Sequence, residues 1–567
     1  MLLRHLQRAS IANGLRRQKR DNSFVDLSNE SYCYYPQHLI HNISQMCTFV
    51  KNTDSCRFYV HFIDHLKFLF CYLGLPFYSG YIFIVAFYIC IFFALLYMIV
   101  KYFLMPNFTA LMKLLPVSEY TFSFVYLGFC LFIPDYLQAA LACIADDNIH
   151  FSLSFSQLEG EILRFFTVSI LPLCMLGYRV SGLLIWANLL FIFLGAVYMF
   201  WAVKVKYKLY GRDDLPYVDS HSLRLNAVTF LGVFVVVIIF SLIVSYQHVR
   251  RQQKEELEVE EYYNNSEVSS EEDLEYATPK RRDLKRWQVW WHTVNAFRNM
   301  NETHHWLVIV LSPFYFLAAH ILPVIDHSRD MSGWCKPVVA FSFIVLPFIF
   351  IGIHPPASVF MSIVITSWSL CLFILCTTQT LQEPSKLGLG IFCVISMIIC
   401  SCALNTLSTE VDNLIYQYFC MRFQQNPDAI VLTLMCSGEM VAQVIVLQYL
   451  VDRNMVDAAY GSAMSMITHT VYTAVPLLVL QSCYKDNYIL VSSSSETCNV
   501  FFLLICFGSL LHISMSGYEF RMSLFFYMLA MDMAYFTFIY YFSHDWLRSF
   551  GAFNYILPPF ESKKVWA

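Results

Sequence analysis

Charged side chains are scarce in this 567-residue chain, of which only 14% is Asp, Glu, Lys or Arg. Soluble chains of ordinary composition carry about 25% charged residues. Hydrophobic residues make up 57% of the sequence, and the mean hydropathy is +0.52. The composition therefore excludes an ordinary soluble protein. It predicts an all-α polytopic membrane protein whose main partner is the lipid bilayer.

The motifs of common enzymes are also missing from the sequence. It contains no Walker phosphate loop, no HExxH metal pair and no nucleophile elbow. Its Lys and Arg residues form no basic face of the kind that binds nucleic acid. No polar segment is large enough to hold a catalytic domain. We therefore expect neither an enzyme nor a bound cofactor.

Apolar runs that are long enough to cross a bilayer recur along the whole chain. They lie at about 77–104, 121–144, 161–177, 182–203, 226–248, 306–325, 337–353, 357–378, 388–411, 428–450, 457–480, 497–515 and 519–543. The sequence thus predicts about 12–13 transmembrane helices.

Polar stretches divide these spans into two membrane halves and two other segments. Residues 1–75 form a basic N-terminus and a cysteine-rich segment, and residues 76–248 form the first membrane half. Residues 249–305 are predicted to be a polar regulatory loop that ends in an interfacial helix rich in Trp. The second membrane half occupies residues 306–567.

The N-terminal segment carries two signals of cellular location. Cys33, Cys47, Cys56 and Cys71 share one polar segment, which predicts disulfides on an oxidising side of the membrane; free thiols are the alternative. The first twenty residues hold six Arg or Lys and no acid, as mitochondrial presequences do. The mitochondrial inner membrane is therefore one expected location. A solvated basic tail, with the protein in the plasma membrane or another internal membrane, remains open.

Two adjacent spans of the second half carry polar groups at mid-depth. Glu439 and Gln443 lie four residues apart, on one face of the first span, and the second span is rich in Ser and Thr and carries His469. Such groups are costly inside a bilayer and usually face a bundle interior, a water-filled path or an ion. A simple hydrogen bond between helices is the alternative. We interpret the pair of spans as the lining of an ion or substrate path.

Two stretches carry a resemblance to a known family. Residues 127–135, LGFCLFIPD, and residues 432–443, LTLMCSGEMVAQ, resemble the first and second repeat motifs of the cation/calcium exchanger superfamily, GNGAPD and GNSxGD. Residues 408–414, STEVDNL, and the spacing of Cys47, Cys56 and Cys71 are similar to the branch of mitochondrial sodium/calcium exchangers. The resemblance implies exchanger-type inverted repeats.

The resemblance also implies a function and a set of site residues. The expected function is a sodium/calcium exchanger-like antiporter that moves calcium against a gradient of sodium or another monovalent cation, with lithium and protons as further candidate ions. Asp135 and Glu439 would carry the ligand charge for the transported cation. The remaining implied residues are the neutral ligands Gln443 and Thr470 and the motif and packing residues Pro134, Gly438, Gly461 and Ser462.

Departures from the family pattern keep two other functions open. Leu131 stands where the first motif has Asn, and Glu439 and Gln443 stand where the second motif has Asn and Asp. A transport-inactive paralogue that binds or regulates a partner is therefore the main alternative. A transporter of another ion, such as protons moving through Glu439 and His469, is the third hypothesis.

The first repeat also departs from the pattern after its motif. Either its second helix is deleted, or residues 151–177 form that helix and carry Glu159, Glu161 and Arg164 into the membrane. In the second case Glu161 and Arg164, three residues apart, would be placed to pair.

Overall fold

The computed structural model describes most of the chain. The described residues are 47–48, 50–51, 64–73, 79–132, 136, 148–207, 220–266, 286–300, 303–326, 333–349, 357–378, 384–423, 427–435, 437–484 and 493–543. Over these residues the chain is helical and forms no strand, apart from an isolated bridge between Arg179 and Glu519.

The first half contains five long helices. They are α1 (Ser79–Ile99, π-helical turn Val100–Leu104 and Met105–Leu114), α2 (Glu119–Phe122, π-helical turn Ser123–Leu127 and Gly128–Leu131), α3 (Asn148–Ser169), α4 (Gly182–Tyr207) and α5 (Ser220–Ser266). The prediction of an all-helical, multi-pass architecture is confirmed here and in the second half.

The second half follows the short helix α6 (Arg286–Val294). Its helices are α7 (His305–Ile321), α8 (Lys336–Ile349), α9 (Ala357–Thr377), α10 (Lys386–Phe423), α11a (Pro427–Thr433), α11b (Ser437–Asp452), α12 (Val456–His469, π-helical turn Thr470–Ala474 and Val475–Tyr484), α13 (Ser493–Met515) and α14 (Met522–Ser543). Nine helical runs of the described chain are long and apolar enough to cross a membrane, and α7 and α8 are shorter apolar helices.

Helix α12 lies at the centre of the bundle. In the most apolar 18-residue window within Val456–Gln481 of α12, 89% of the residues are buried, whereas the corresponding share is 11% in α5. The small residues Ala458, Gly461, Ser462 and Ser465 explain this position, because small side chains let helix backbones approach closely where lipid offers no hydrophobic drive for association. Most apolar side chains of α5 are exposed on the outside of the bundle, whereas Ala227 and Phe234 are buried.

Helices of the two halves pack closely against each other. A Cβ atom on Gly461 of α12 would lie 2.5 Å from the backbone oxygen of Tyr120 in α2. A Cβ atom on Gly160 of α3 would lie 2.4 Å from the backbone oxygen of Leu432 in α11a. Helix α2 therefore pairs with α12, and α3 pairs with α11.

The charged residues that follow the first motif lie inside the bundle. Helix α3 begins at Asn148, well before the predicted span at 161–177, and it packs on α11a, α11b and α12. Glu159, Glu161 and Arg164 are all buried in it. The burial of these three residues agrees with the second interpretation of this segment.

Two other helices run past their predicted ends. Helix α5 continues to Ser266, so the first part of the predicted 249–305 loop is helical. Helix α10 continues to Phe423, beyond the predicted end at residue 411. The extension of α5 is rich in charged residues, which end its hydropathy run, whereas the extension of α10 mixes polar residues such as Asp412 and Asn413 with apolar ones. In α10 the extension is nevertheless buried at Asp412, Asn413 and Gln417.

The segment before α1 is attached to the bundle. Cys47 and Cys71 form a disulfide, whereas Cys33 and Cys56 lie outside the described residues. The short helix His65–Lys67 buries His65 and Leu66, and Asp64 caps its first turn. His65 Nε2 lies 2.9 Å from Glu410 Oε2 of α10. The segment is therefore joined to the second membrane half.

The pairing of α2 with α12 can be tested by adding one methyl group. Gly461→Ala should destabilise the protein by about 1–3 kcal/mol, because the new Cβ atom meets backbone that cannot rotate away. Gly232→Ala is the matched control, since no atom lies within 4 Å of its Cβ position. Thermal unfolding in detergent measures both changes. Equal melting temperatures for the two variants would contradict the packing.

The disulfide can be tested by mass spectrometry. Non-reducing digestion of the purified protein should release a peptide pair that joins Cys47 to Cys71. The pair should disappear after reduction. Recovery of both cysteines as alkylated free thiols, without prior reduction, would contradict the bond.

Candidate functional site

Helix α11 is interrupted at mid-length. Its first part ends at Thr433, Leu434 and Met435 form a turn, and α11b begins at Ser437. A break leaves backbone N–H and C=O groups without helical partners, and such breaks are tolerated at membrane depth only where protein or a cavity surrounds them. Glu439 lies in the first turn of α11b, so its carboxylate lies at the positive end of a half-helix.

A small internal cavity adjoins this break. Its space is about 10 Å³, which is close to the room that one water molecule requires. It is lined by Cys130 and Leu131 of α2, Ser401, Leu404 and Ser408 of α10, Glu439, Ala442 and Gln443 of α11b, and Met466 of α12. The cavity thus lies where four helices from both halves meet.

Gln443 presents an unused acceptor at this cavity. Its Nε2 donates to the backbone oxygen of Ser462 at 3.3 Å and approaches the Ser462 Oγ at 3.4 Å. Its Oε1 is buried and has no hydrogen-bond partner among the described residues. A buried amide oxygen without a donor is costly. A bound cation would satisfy it.

Helix α10 contributes a polar face that the sequence reasoning missed. Ser401, Asn405, Ser408 and Asp412 follow one another at helical spacing and are all buried. Asp412 Oδ1 accepts the backbone N–H of Gly438 at 3.1 Å. The signal was present in the sequence as polar residues three or four apart, but the predicted span ended at residue 411.

The structure brings together only part of the predicted ligand set. Glu439 and Gln443 line the cavity, whereas Thr470 is not among its lining residues. The Thr470 hydroxyl donates to the backbone oxygen of Met466 at 2.9 Å. Gly438 packs on the backbone of Ser408, where a Cβ atom would lie 2.7 Å from the Ser408 Cα.

Pro134 and Asp135 lie outside the described residues. The chain on either side of them is described. Leu131 lines the cavity, and the Tyr136 hydroxyl donates to Thr473 Oγ1 of α12 at 2.9 Å. Asp135 therefore stays a predicted ligand.

His469 faces α2 and not the cavity. Its Nε2 lies 3.4 Å from the backbone oxygen of Phe124, an atom that also accepts the Ser465 hydroxyl at 2.8 Å. The rings of Phe124, Phe132 and Phe234 surround it. Because His469 is not a lining residue, the cavity offers no support for a proton path from Glu439 through His469.

A second group of buried charges lies between α3 and the last two helices. Glu159 accepts hydrogen bonds from Ser495 and Asn499 of α13. Arg164 does not pair with Glu161 as the sequence suggested; its Nε lies 4.0 Å from Asp532 Oδ1 of α14, and its guanidinium lies 4.1 Å from the Phe536 ring centroid. Glu161 instead accepts the Gln157 amide at 2.8 Å.

Acidic side chains lie together at the N-terminal end of α12. Tyr178 donates a hydrogen bond to Asp457. Partial burial, and then the neighbouring charge of Asp457, raise the pKa of Glu119. Burial, and then the bond to Asp457, raise the pKa of Tyr178.

Within the described ranges, no group of three or more His, Cys, Asp or Glu side chains is arranged to hold a metal ion. Any cation in the cavity would thus rely on a mixture of carboxylate, amide and hydroxyl oxygens. No protein-family model, curated protein or solved structure matches the chain.

The Arg164–Asp532 pair can be tested by removing one partner or both. Asp532→Leu should cost about 3–5 kcal/mol, because it leaves a buried guanidinium unpaired, while Arg164→Met with Asp532→Leu should cost less. Glu519→Gln breaks the exposed pair with Arg521 and should cost at most about 1 kcal/mol. Denaturant unfolding measures all three. A double variant that is less stable than Asp532→Leu alone would contradict the pairing.

Proposed function

We propose that the chain is a sodium/calcium exchanger-like cation antiporter that moves calcium against a gradient of sodium or another monovalent cation. The observation that carries this proposal is the small cavity at the break in α11. Glu439, Gln443 and Ser408 all line it, and the Gln443 amide oxygen has no hydrogen-bond partner among the described residues. Hard cations are held by several oxygen ligands that include carboxylates.

The packing of the halves supports an alternating-access mechanism. Helix α2 pairs with α12 and α3 pairs with α11, which is the arrangement expected when two inverted repeats enclose one site. Helices α2 and α12 each contain a π-helical turn, Ser123–Leu127 and Thr470–Ala474, and such turns frequently lie at functional sites. The two helix pairs would rock around the cavity and open it to one side at a time.

Ligand roles follow from the cavity geometry. Glu439 would supply the charge, and Gln443 and Ser408 would supply neutral oxygens. Asp135, carried by the chain that continues from Leu131, remains the expected second carboxylate from the first repeat. Since Leu131 offers no oxygen at the cavity, we expect a calcium flux that is weak and poorly coupled to sodium.

The lining also favours a second candidate, a transport-inactive exchanger paralogue with a regulatory or binding role. Leu131, Leu404, Ala442 and Met466 give the small cavity apolar walls. Apolar walls disfavour a hydrated or partly hydrated ion. In this case the protein would keep the fold without moving ions.

The transport test uses the purified full-length protein in proteoliposomes with an imposed sodium gradient. Uptake of radiolabelled Ca²⁺ should depend on that gradient, and Glu439→Gln should abolish it because the charge at the cavity is lost. Asp452→Asn, an exposed acid at the far end of α11b, should retain uptake. Gradient-driven uptake that survives Glu439→Gln would contradict the site, and no uptake at all would favour the inactive paralogue.

A further inference from the structure

We propose that Asp412 of α10 is an additional acidic group of the cation site, and that it gives the site its preference for a divalent over a monovalent ion. The inference rests on the proposed function and names a residue outside both repeat motifs. Asp412 is an Asp within the stretch 408–414 and belongs to a helix that the motifs do not include.

The Asp412 carboxyl group contacts the backbone at the start of α11b. Its Oδ1 accepts the backbone N–H of Gly438, the residue before Glu439, at 3.1 Å. Ser408, one turn earlier on α10, touches Gly438 and lines the cavity. The carboxyl group is therefore held at the start of α11b, one helical turn from the lining residue Ser408, although Asp412 is not itself a lining residue.

The carboxyl groups of Asp412 and Glu439 belong to the same half-helix start, because Asp412 accepts the N–H of Gly438 and Glu439 is the next residue. The helix end contributes about half a positive charge at this position. A divalent cation in the cavity would balance both acids, whereas a monovalent ion would balance one.

An independent observation points to a ligand at this place. Gln443 is only 1% exposed and lines the cavity, and its Oε1 has no donor among the described residues. A cation there would be coordinated by this oxygen and neutralise the two carboxylates. The three groups belong to α10 and α11b, so binding would also fix the break in α11 against α10.

Asp412 could instead be only a cap for the half-helix, and side-chain chemistry separates the two roles. An Asn side chain also accepts the Gly438 N–H and so preserves the cap, but it removes the charge. Asp412→Ala removes both. Asp412→Ser, whose hydroxyl is also an acceptor, replaces the Asn variant if that one does not fold.

The experiment measures equilibrium binding of radiolabelled Ca²⁺ to the full-length protein in nanodiscs, with Na⁺ as competitor. Asp412→Asn should weaken Ca²⁺ binding by roughly tenfold or more, the scale on which ligand charge tunes calcium sites. Competition by Na⁺ should become stronger relative to Ca²⁺, and the melting temperature should stay near the unaltered value. Asp452→Asn should change none of these.

The outcomes distinguish the inference from the proposed function. If Glu439→Gln loses Ca²⁺ binding while Asp412→Asn keeps it with unchanged Na⁺ competition, Asp412 is only a cap and the inference is wrong, although the proposed function stands. If the unaltered protein binds no Ca²⁺, both fail. Non-additive losses in the Asp412→Asn, Glu439→Gln double-mutant cycle would support a shared ion.

Discussion

A helix interrupted inside a membrane must find partners for its free backbone groups, and in this protein α10 supplies them. The hydrogen bond from Gly438 to Asp412 satisfies the first turn of α11b, and the lack of a side chain on Gly438 lets α10 come close enough to form it. The break in turn places Glu439 and Gln443 at the cavity. The position of these two cavity residues therefore depends on the contact between Gly438 and α10.

Much of the architecture was predictable because bilayer thickness limits helix length. The spans of α4, α9, α13 and α14 agree with the hydropathy pattern within a few residues. The hydropathy pattern did not predict the helix bounds where a helix is surrounded by protein. At such positions polar side chains can lie at membrane depth, because other helices supply their partners. Glu159 and Arg164 in α3 and Asp412 in α10 are such cases, since each has a partner on another helix. Those partners are distant in sequence, so no local pattern identifies them.

The candidate site was predictable from the sequence only in part. Glu439 and Gln443 were found because they lie four apart on one helix face, and the cavity does contain both. Thr470 was chosen from its position in a motif, but the π-helical turn that begins at this residue changes the register of the faces along α12. Its hydroxyl bonds to the preceding turn and does not line the cavity. A single sequence does not reveal where such a turn occurs.

Helix α5 is longer than a bilayer crossing requires. Its 47 residues correspond to about 70 Å, more than twice the thickness of the hydrocarbon core. Ser245 bonds to Ser118 at the start of α2, and eleven residues earlier the Phe234 ring packs 4.9 Å from His469 of α12. Both contacts lie in the apolar half of α5, so about 30 Å of helix continue from Ser245 to its polar end at Ser266.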